Sequence, residues 1–213
     1  MAMNVVVKTE PTVEPCTTAE LKAFARIDTS DDDTLVALLI KAARRQAEAF
    51  TGRAFVNTTF YAYFYFDNQT TAVDDFTLQW LRDTTVNRGM IYLPRSPLSS
   101  VTEINTYDHD GKETLWASTN YKVVTTTTPG CIYLADAGSF PSDMRAISAM
   151  RVEFIAGYGA AASSVPDDIV QAIKLMATTY YEHREEFVTG TIAQPTPLAA
   201  RLLLQPYKVV HLW

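Results

Sequence analysis

The spacing of apolar residues changes twice along the chain. From position 17 they recur every three or four residues: Leu21, Phe24 and Ala25 share one face, and Leu35, Val36, Leu38, Leu39, Ala42, Ala43, Ala47 and Phe50 form a longer stripe. That period marks two amphipathic helices. Thr17-Thr18-Ala19-Glu20 has the spacing of a capping box, in which the hydroxyl and the carboxylate satisfy free N–H groups of a first turn. It predicts a first helix over 17–27. Asp31-Asp32-Asp33 places carboxylates at the positive end of the second helix, and Gly52 ends it.

From Phe55 the period shortens to two, and Thr, Tyr, Phe and Val dominate between Pro and Gly breaks. Strands are predicted at 55–66, 76–81, 89–93, 101–107, 113–116, 121–126, 131–134 and 150–155. Asp108-His109-Asp110-Gly111 and Pro129-Gly130 are hairpin turns, so sequence neighbours should pair antiparallel. In the first strand, alternation puts Phe60, Ala62, Phe64 and Phe66 on one face and Tyr61, Tyr63 and Tyr65 on the other. The Phe face is the candidate core. The Tyr face is either covered by the helical part or is a contact surface, since tyrosine tolerates an apolar neighbour and water alike.

Helical spacing returns after Val165-Pro166-Asp167-Asp168, with Pro166 expected at the first helical position, and runs through Ile169, Ile173, Met176, Ala177, Tyr180 and Tyr181 to about 187. Gly190, Pro195 and Pro197 then separate a last segment rich in Leu, Val and Trp. The pattern reads as an α+β fold, with about three main helices on either side of a long antiparallel β-rich middle that suggests a sandwich or a strongly curled sheet, and an extended C-terminal tail. The resemblance described below implies that the helices form a small helical core and the middle a β-rich insertion in it. The expected division is 1–54 with 156–194 for the helical core, 55–155 for the insertion and 195–213 for the tail.

Composition narrows the chemistry. Of 213 residues, 47% are hydrophobic and 20% charged, the globular range. The formal charge is -6, and no Lys/Arg run exceeds Arg44-Arg45, which argues against a surface that grips phosphates. The opening Met-Ala-Met-Asn has no basic and apolar leader pattern, and no apolar stretch nears the ~20 residues that span a bilayer, so no membrane partner is expected. Cys16 and Cys131 stand far apart with no His or Cys at ligand spacing, giving neither a disulfide framework nor a metal site. Gly157-Tyr158-Gly159-Ala160-Ala161-Ala162 fits G-x-G-x-x-A, but a helix and a tail follow it instead of a second parallel strand with its acidic residue, so no cofactor is expected. His109, His183 and His211 are scattered and no Ser lies in a G-x-S-x-G elbow, so an enzyme is not expected. Glu182, Arg184 and Glu185 belong to a charge cluster that is a solvated helix face or a subunit contact.

Taken in order, several segments resemble the head-tail connector family of tailed bacteriophages, the adaptor or head-completion proteins also found in gene transfer agents. They are Glu14-Pro15 with Leu21 and Phe24-Ala25-Arg26-Ile27-Asp28; Asp32-Asp33 with Ile40 and Ala42-Ala43-Arg44; Glu48-Ala49-Phe50-Thr51-Gly52-Arg53; Leu93-Pro94-Arg95-Ser96-Pro97-Leu98 with Val101; Phe154-Ile155-Ala156-Gly157-Tyr158-Gly159; Val165-Pro166 with Ile169 and Ala172-Ile173; Tyr181-Glu182-His183-Arg184-Glu185; and Leu203-Leu204-Gln205-Pro206-Tyr207. The resemblance implies a structural virion protein at the head-tail junction, present in the host cytoplasm during assembly. Its subunits would form a ring of twelve beneath the portal protein, extend the channel for passing genomic DNA without tight binding, and offer a surface to a tail or stopper protein. It also implies a portal-docking tail, here Leu202, Leu203, Leu204, Pro206, Tyr207, Leu212 and Trp213, and subunit contacts for which Tyr61, Tyr63, Tyr65, Glu182, Arg184 and Glu185 are the candidates. The family often ends soon after Pro-Tyr-Arg, whereas Lys208 and five mostly apolar residues stand here. From other classes, the residues leave open a carbohydrate-binding β module using the Tyr face, a tail-end structural protein, and a small hydrolase with a triad assembled only in space.

Overall fold

The structure, a computed structural model, describes residues 2–65, 90–136, 138, 141, 143–183 and 197–209. The chain divides into two compact units: a β unit from the residues up to Glu10 and from Asn57–Gly157, and a helical unit from Pro11–Val56 and from Tyr158 onward.

In the β unit, strands β1 (Ala2–Thr9), β2 (Thr58–Tyr65), β3 (Ile91–Tyr92), β4 (Leu98–Tyr107), β5 (Glu113–Leu115), β6 (Tyr121–Val124), β7 (Cys131–Leu134) and β8 (Met150–Ala156) form two sheets. The larger has five strands in the order β1-β2-β8-β4-β5, and the smaller three in the order β3-β7-β6. Every pairing among the described residues is antiparallel. Register lines up Val5, Ala62, Val152 and Ile104 across one face of the large sheet, with Phe60 beside Phe154 and Phe64 beside Met150. From β2 inward these side chains are buried, and the Phe60 and Phe154 rings stack at 5.4 Å. The small sheet is drawn against β4 at Gly130, where an added Cβ would stand 2.4 Å from the Leu98 Cβ. The turn between β4 and β5 closes through Asp108, whose carboxylate accepts from the Lys112 amide, with Gly111 at φ 82°.

The helical unit contains α1 (Thr18–Ala25), α2 (Asp33–Thr51), α3 (Asp167–Glu182) and α4 (Leu198–Leu204), the last running into a 3-10 turn at Gln205–Tyr207. The capping box is formed: Thr17 Oγ1 accepts from the Glu20 amide at 3.2 Å, and Glu20 Oε2 accepts from the Thr17 amide at 2.7 Å. Glycine at φ 71° ends α2 at position 52, as its sequence position predicts. Leu21, Val36, Ile40, Ala43, Ala47, Ile169, Ile173 and Met176 meet in one core that also takes in Phe55, Ala200 and Leu204.

The α+β class is as expected, and three elements differ in detail. Residues 2–9, included with the helical core in the expected division, are strand β1; Val5-Val6-Val7 has no alternation and shows its partner only once β2 is in place. Strand β4 starts at Leu98, three residues before the alternation suggested. Pro166 is the N-cap of α3, one position before the expected place, and α3 ends at Glu182. The strand expected at 76–81 lies outside the described residues. Most other boundaries fall within two residues of expectation.

Candidate interaction surfaces

The large sheet has a second face, opposite the one that carries Phe60 and Phe154. Alternation along β2 and register across the sheet set Asn4, Tyr63, Arg151, Asn105 and Leu115 in one row, and Val6, Tyr61, Glu153 and Glu103 in the next. Arg151 is the centre of this face. Its Nη2 donates to Glu113 at 2.6 Å and to Glu103 at 3.1 Å, and its guanidinium lies 4.9 Å from the Tyr61 ring centroid. Lys8 donates to Glu153 at 2.7 Å and sits 5.1 Å from the same ring. That hydrogen bond, and then one with Tyr61, raises the Lys8 ammonium pKa above its ordinary value. Two cations flanking one ring hold Tyr61 by the attraction of its π face, and Tyr63 tilts against it at 6.2 Å. Tyr61, Tyr63 and Tyr65 are all half-buried, so the face is a cation–aromatic–carboxylate lattice and not a row of free rings.

The second surface is the end of the helical unit. Of the residues expected to dock on a partner, Leu204 is only 1% exposed and lies in the core, while Leu202 is 64% exposed. Leu203 and Tyr207 are half-buried and Pro206 is exposed. The described part of the tail is tied down. Tyr207 O accepts from Arg53 Nε, Tyr207 Oη donates to Asp168 at 3.2 Å, and the Val209 amide donates to Thr51 O at 2.8 Å. Burial, then the bond to Asp168, raises the Tyr207 phenol. Arg201 and Lys208 both stand over the Phe50 ring, at 6.0 and 5.4 Å. Residues 198–209 therefore differ from a free extended segment: helix α4 has two faces, one filling the core through Ala200 and Leu204 and the other presenting Leu198 and Leu202. A helical repeat inside Leu202-Leu203-Leu204 is invisible in a run of three leucines, and the i, i+4 spacing of Ala200 and Leu204 was the available signal. Leu212 and Trp213 lie outside the described residues, as do Arg184 and Glu185; Glu182 is the last residue of α3 and is exposed.

A buried ion cluster, which sequence reasoning did not find, braces the helical unit. Arg44 is 2% exposed; its Nε donates to Glu14 at 2.7 Å and its Nη1 to Glu48 at 2.8 Å. Glu48 also accepts from the Phe55 amide at 2.9 Å, which holds the chain as it leaves α2. Glu14, Arg44 and Glu48 each stand in the segments that carry the family resemblance, but nothing in their spacing pairs Glu14 with Arg44.

The glycine motif at 157–162 leaves β8, whose two neighbours are both antiparallel, so it is no part of a parallel βαβ unit. A Cβ on Gly159 would stand 2.3 Å from Ser164 Oγ, which accounts for that glycine by close packing. Among the described residues no helix is long and apolar enough to cross a membrane, and no three metal-binding side chains gather.

The sequence model of the family described as "Head completion protein" matches residues 16–194. No curated protein matches. Among solved structures, a chain in the neck of an empty GTA particle computed with C6 symmetry superposes with TM-score 0.70 at 23% identity. A chain from the virion of a native gene transfer agent particle gives 0.70 at 22%, and one from the neck of a native GTA particle computed with C12 symmetry gives 0.70 at 24%. Each match covers 100% of this chain and 98% of the other. At that identity the solved structures establish the shared fold, and the match over most of its length establishes the lineage: the chain belongs to the head completion protein family, whose members are structural components of the virion.

Proposed function

We propose that this chain is a head-tail connector subunit that assembles as a ring of twelve under the portal protein, prolongs the DNA channel and offers the surface to which a tail or stopper protein attaches. The observation that carries the reading is the family match across residues 16–194, which takes in both the β and the helical unit. Similarity to chains in particle necks computed with C6 and C12 symmetry supports a cyclic arrangement. The physical properties suit the task. A conduit subunit needs unlike contact patches that close head to tail, and a net charge of -6 keeps a passing duplex from being held. Portal docking falls to the exposed side of α4, led by Leu202 and joined by Leu198, Leu203 and Pro206, while Leu204 stays with the core. The Tyr61, Tyr63 and Tyr65 face and the end of α3 at Glu182 are the surfaces for contacts within the ring.

Deleting the gene from a host that produces the particle tests this. The expected result is DNA-filled heads and separate tails, with joining restored by the intact chain in trans. Normal particles without the chain would overturn the reading.

A further inference from the structure

Strand β1 has the sequence of a strand buried on both faces but stands at the edge of its sheet. Val5-Val6-Val7 is an unbroken apolar run of the kind found in central strands, yet among the described residues β1 pairs only with β2. Val6 on one face is 45% exposed and Val7 on the other 44%. Proteins usually blunt such an edge with proline, a bulge, a short strand or an outward lysine. Here the strand has eight residues, its one irregularity lies between Val7 and Thr9, and the Lys8 amine is drawn inward onto Glu153. The opposite edge is also open among the described residues: all of β5 is exposed, and Leu115 is 63% exposed.

We infer that the β1 edge of one copy pairs with the β5 edge of the next, so that the large sheet continues from subunit to subunit. This rests on the ring reading above and names the contact it requires. Four successive antiparallel pairings make β1 and β5 run the same way. In a ring of many subunits each copy is turned only slightly from the last, so strand direction is kept and the joint is a parallel one. Two β1 edges, in contrast, would pair antiparallel about a two-fold axis and close as a dimer. The charged side chains at both edges are already paired within the subunit, Lys8 with Glu153 and both Glu103 and Glu113 with Arg151, so the joint is made by backbone pairing and apolar cover. Val6 and Leu115, both exposed, lie on the same face and would cover each other.

The test is disulfide trapping in assembled particles. Leu115→Cys is combined in turn with Asn4→Cys, Val6→Cys and Lys8→Cys, which share its face and sample three registers. Adjacent strands lie about 4.8 Å apart, within the Cα separation of about 4.4–6.8 Å that a disulfide spans. The native Cys16 and Cys131 are buried and stay out of the reaction. After mild oxidation, a non-reducing gel of at least one pair should show a ladder of dimers, trimers and higher multimers, absent from each single variant. A dimer formed by a β1 cysteine alone, or its capture by a protein of different mass, would overturn the pairing. So would no ladder from any pair in particles whose ring is seen by electron microscopy, which would leave the ring itself standing. Particles with no ring would remove the ring reading, and the edge pairing with it.

Discussion

Thr17 and Glu20 serve each other, so the first turn of the helical unit depends on two side chains. Thr17→Ala should cost about 1 kcal/mol of stability, read as a lower urea midpoint with unchanged slope. Hydrogen bonding from the Thr17 backbone lowers the Glu20 carboxyl pKa from its ordinary value of 4.5. The folded state thus favours the charged form. The contribution of the box is complete above that ordinary value and fades as pH falls through the lower, folded one; Glu20→Gln should flatten this part of the acid limb. Glu48→Ala is a harsher change. It removes one carboxylate from the buried Arg44 and the acceptor of the Phe55 amide, and should cost about 3 kcal/mol in thermal or urea unfolding. A loss below about 1 kcal/mol would mean that Arg44 is satisfied without Glu48.

Helix α4 has a core face and an exposed face, and single substitutions separate what each does. Leu204→Ala opens a hole in the helical core and should lower stability by about 3 kcal/mol. Leu202→Glu changes an exposed position, so the melting temperature should stay nearly constant while head-tail joining falls in a complementation assay. If Leu202→Glu particles join normally, the docking surface is elsewhere. Removing 198–213 altogether mixes the two effects, because Ala200 and Leu204 leave with the exposed residues.

At the scale of the molecule, the net charge of -6 sets one expectation. Duplex DNA should not be retained at ~150 mM salt, since phosphate-driven affinity needs clustered lysine and arginine. A filter-binding or anisotropy titration checks this, and micromolar affinity with a steep salt slope would contradict it. The second face of the large sheet mixes Lys8 and Arg151 with Glu103, Glu113 and Glu153, so its cations already have carboxylate partners within the subunit.

What the sequence determined by itself is local. The capping box, the glycine that ends α2, the alternation that buries Phe60, Ala62 and Phe64, and the turn at 108–111 each depend on residues within one or two turns of each other, and each stands where spacing put it. What only the tertiary structure decided is pairing over distance. Strand β1 meets β2 across some fifty residues, Glu14 reaches Arg44 from outside the helix, and Thr51 accepts from Val209 at the far end of the chain. A valine run or a leucine triplet has no period of its own. Which of its side chains is core depends on the neighbour that covers it, and Val6 and Leu202 have no such cover among the described residues.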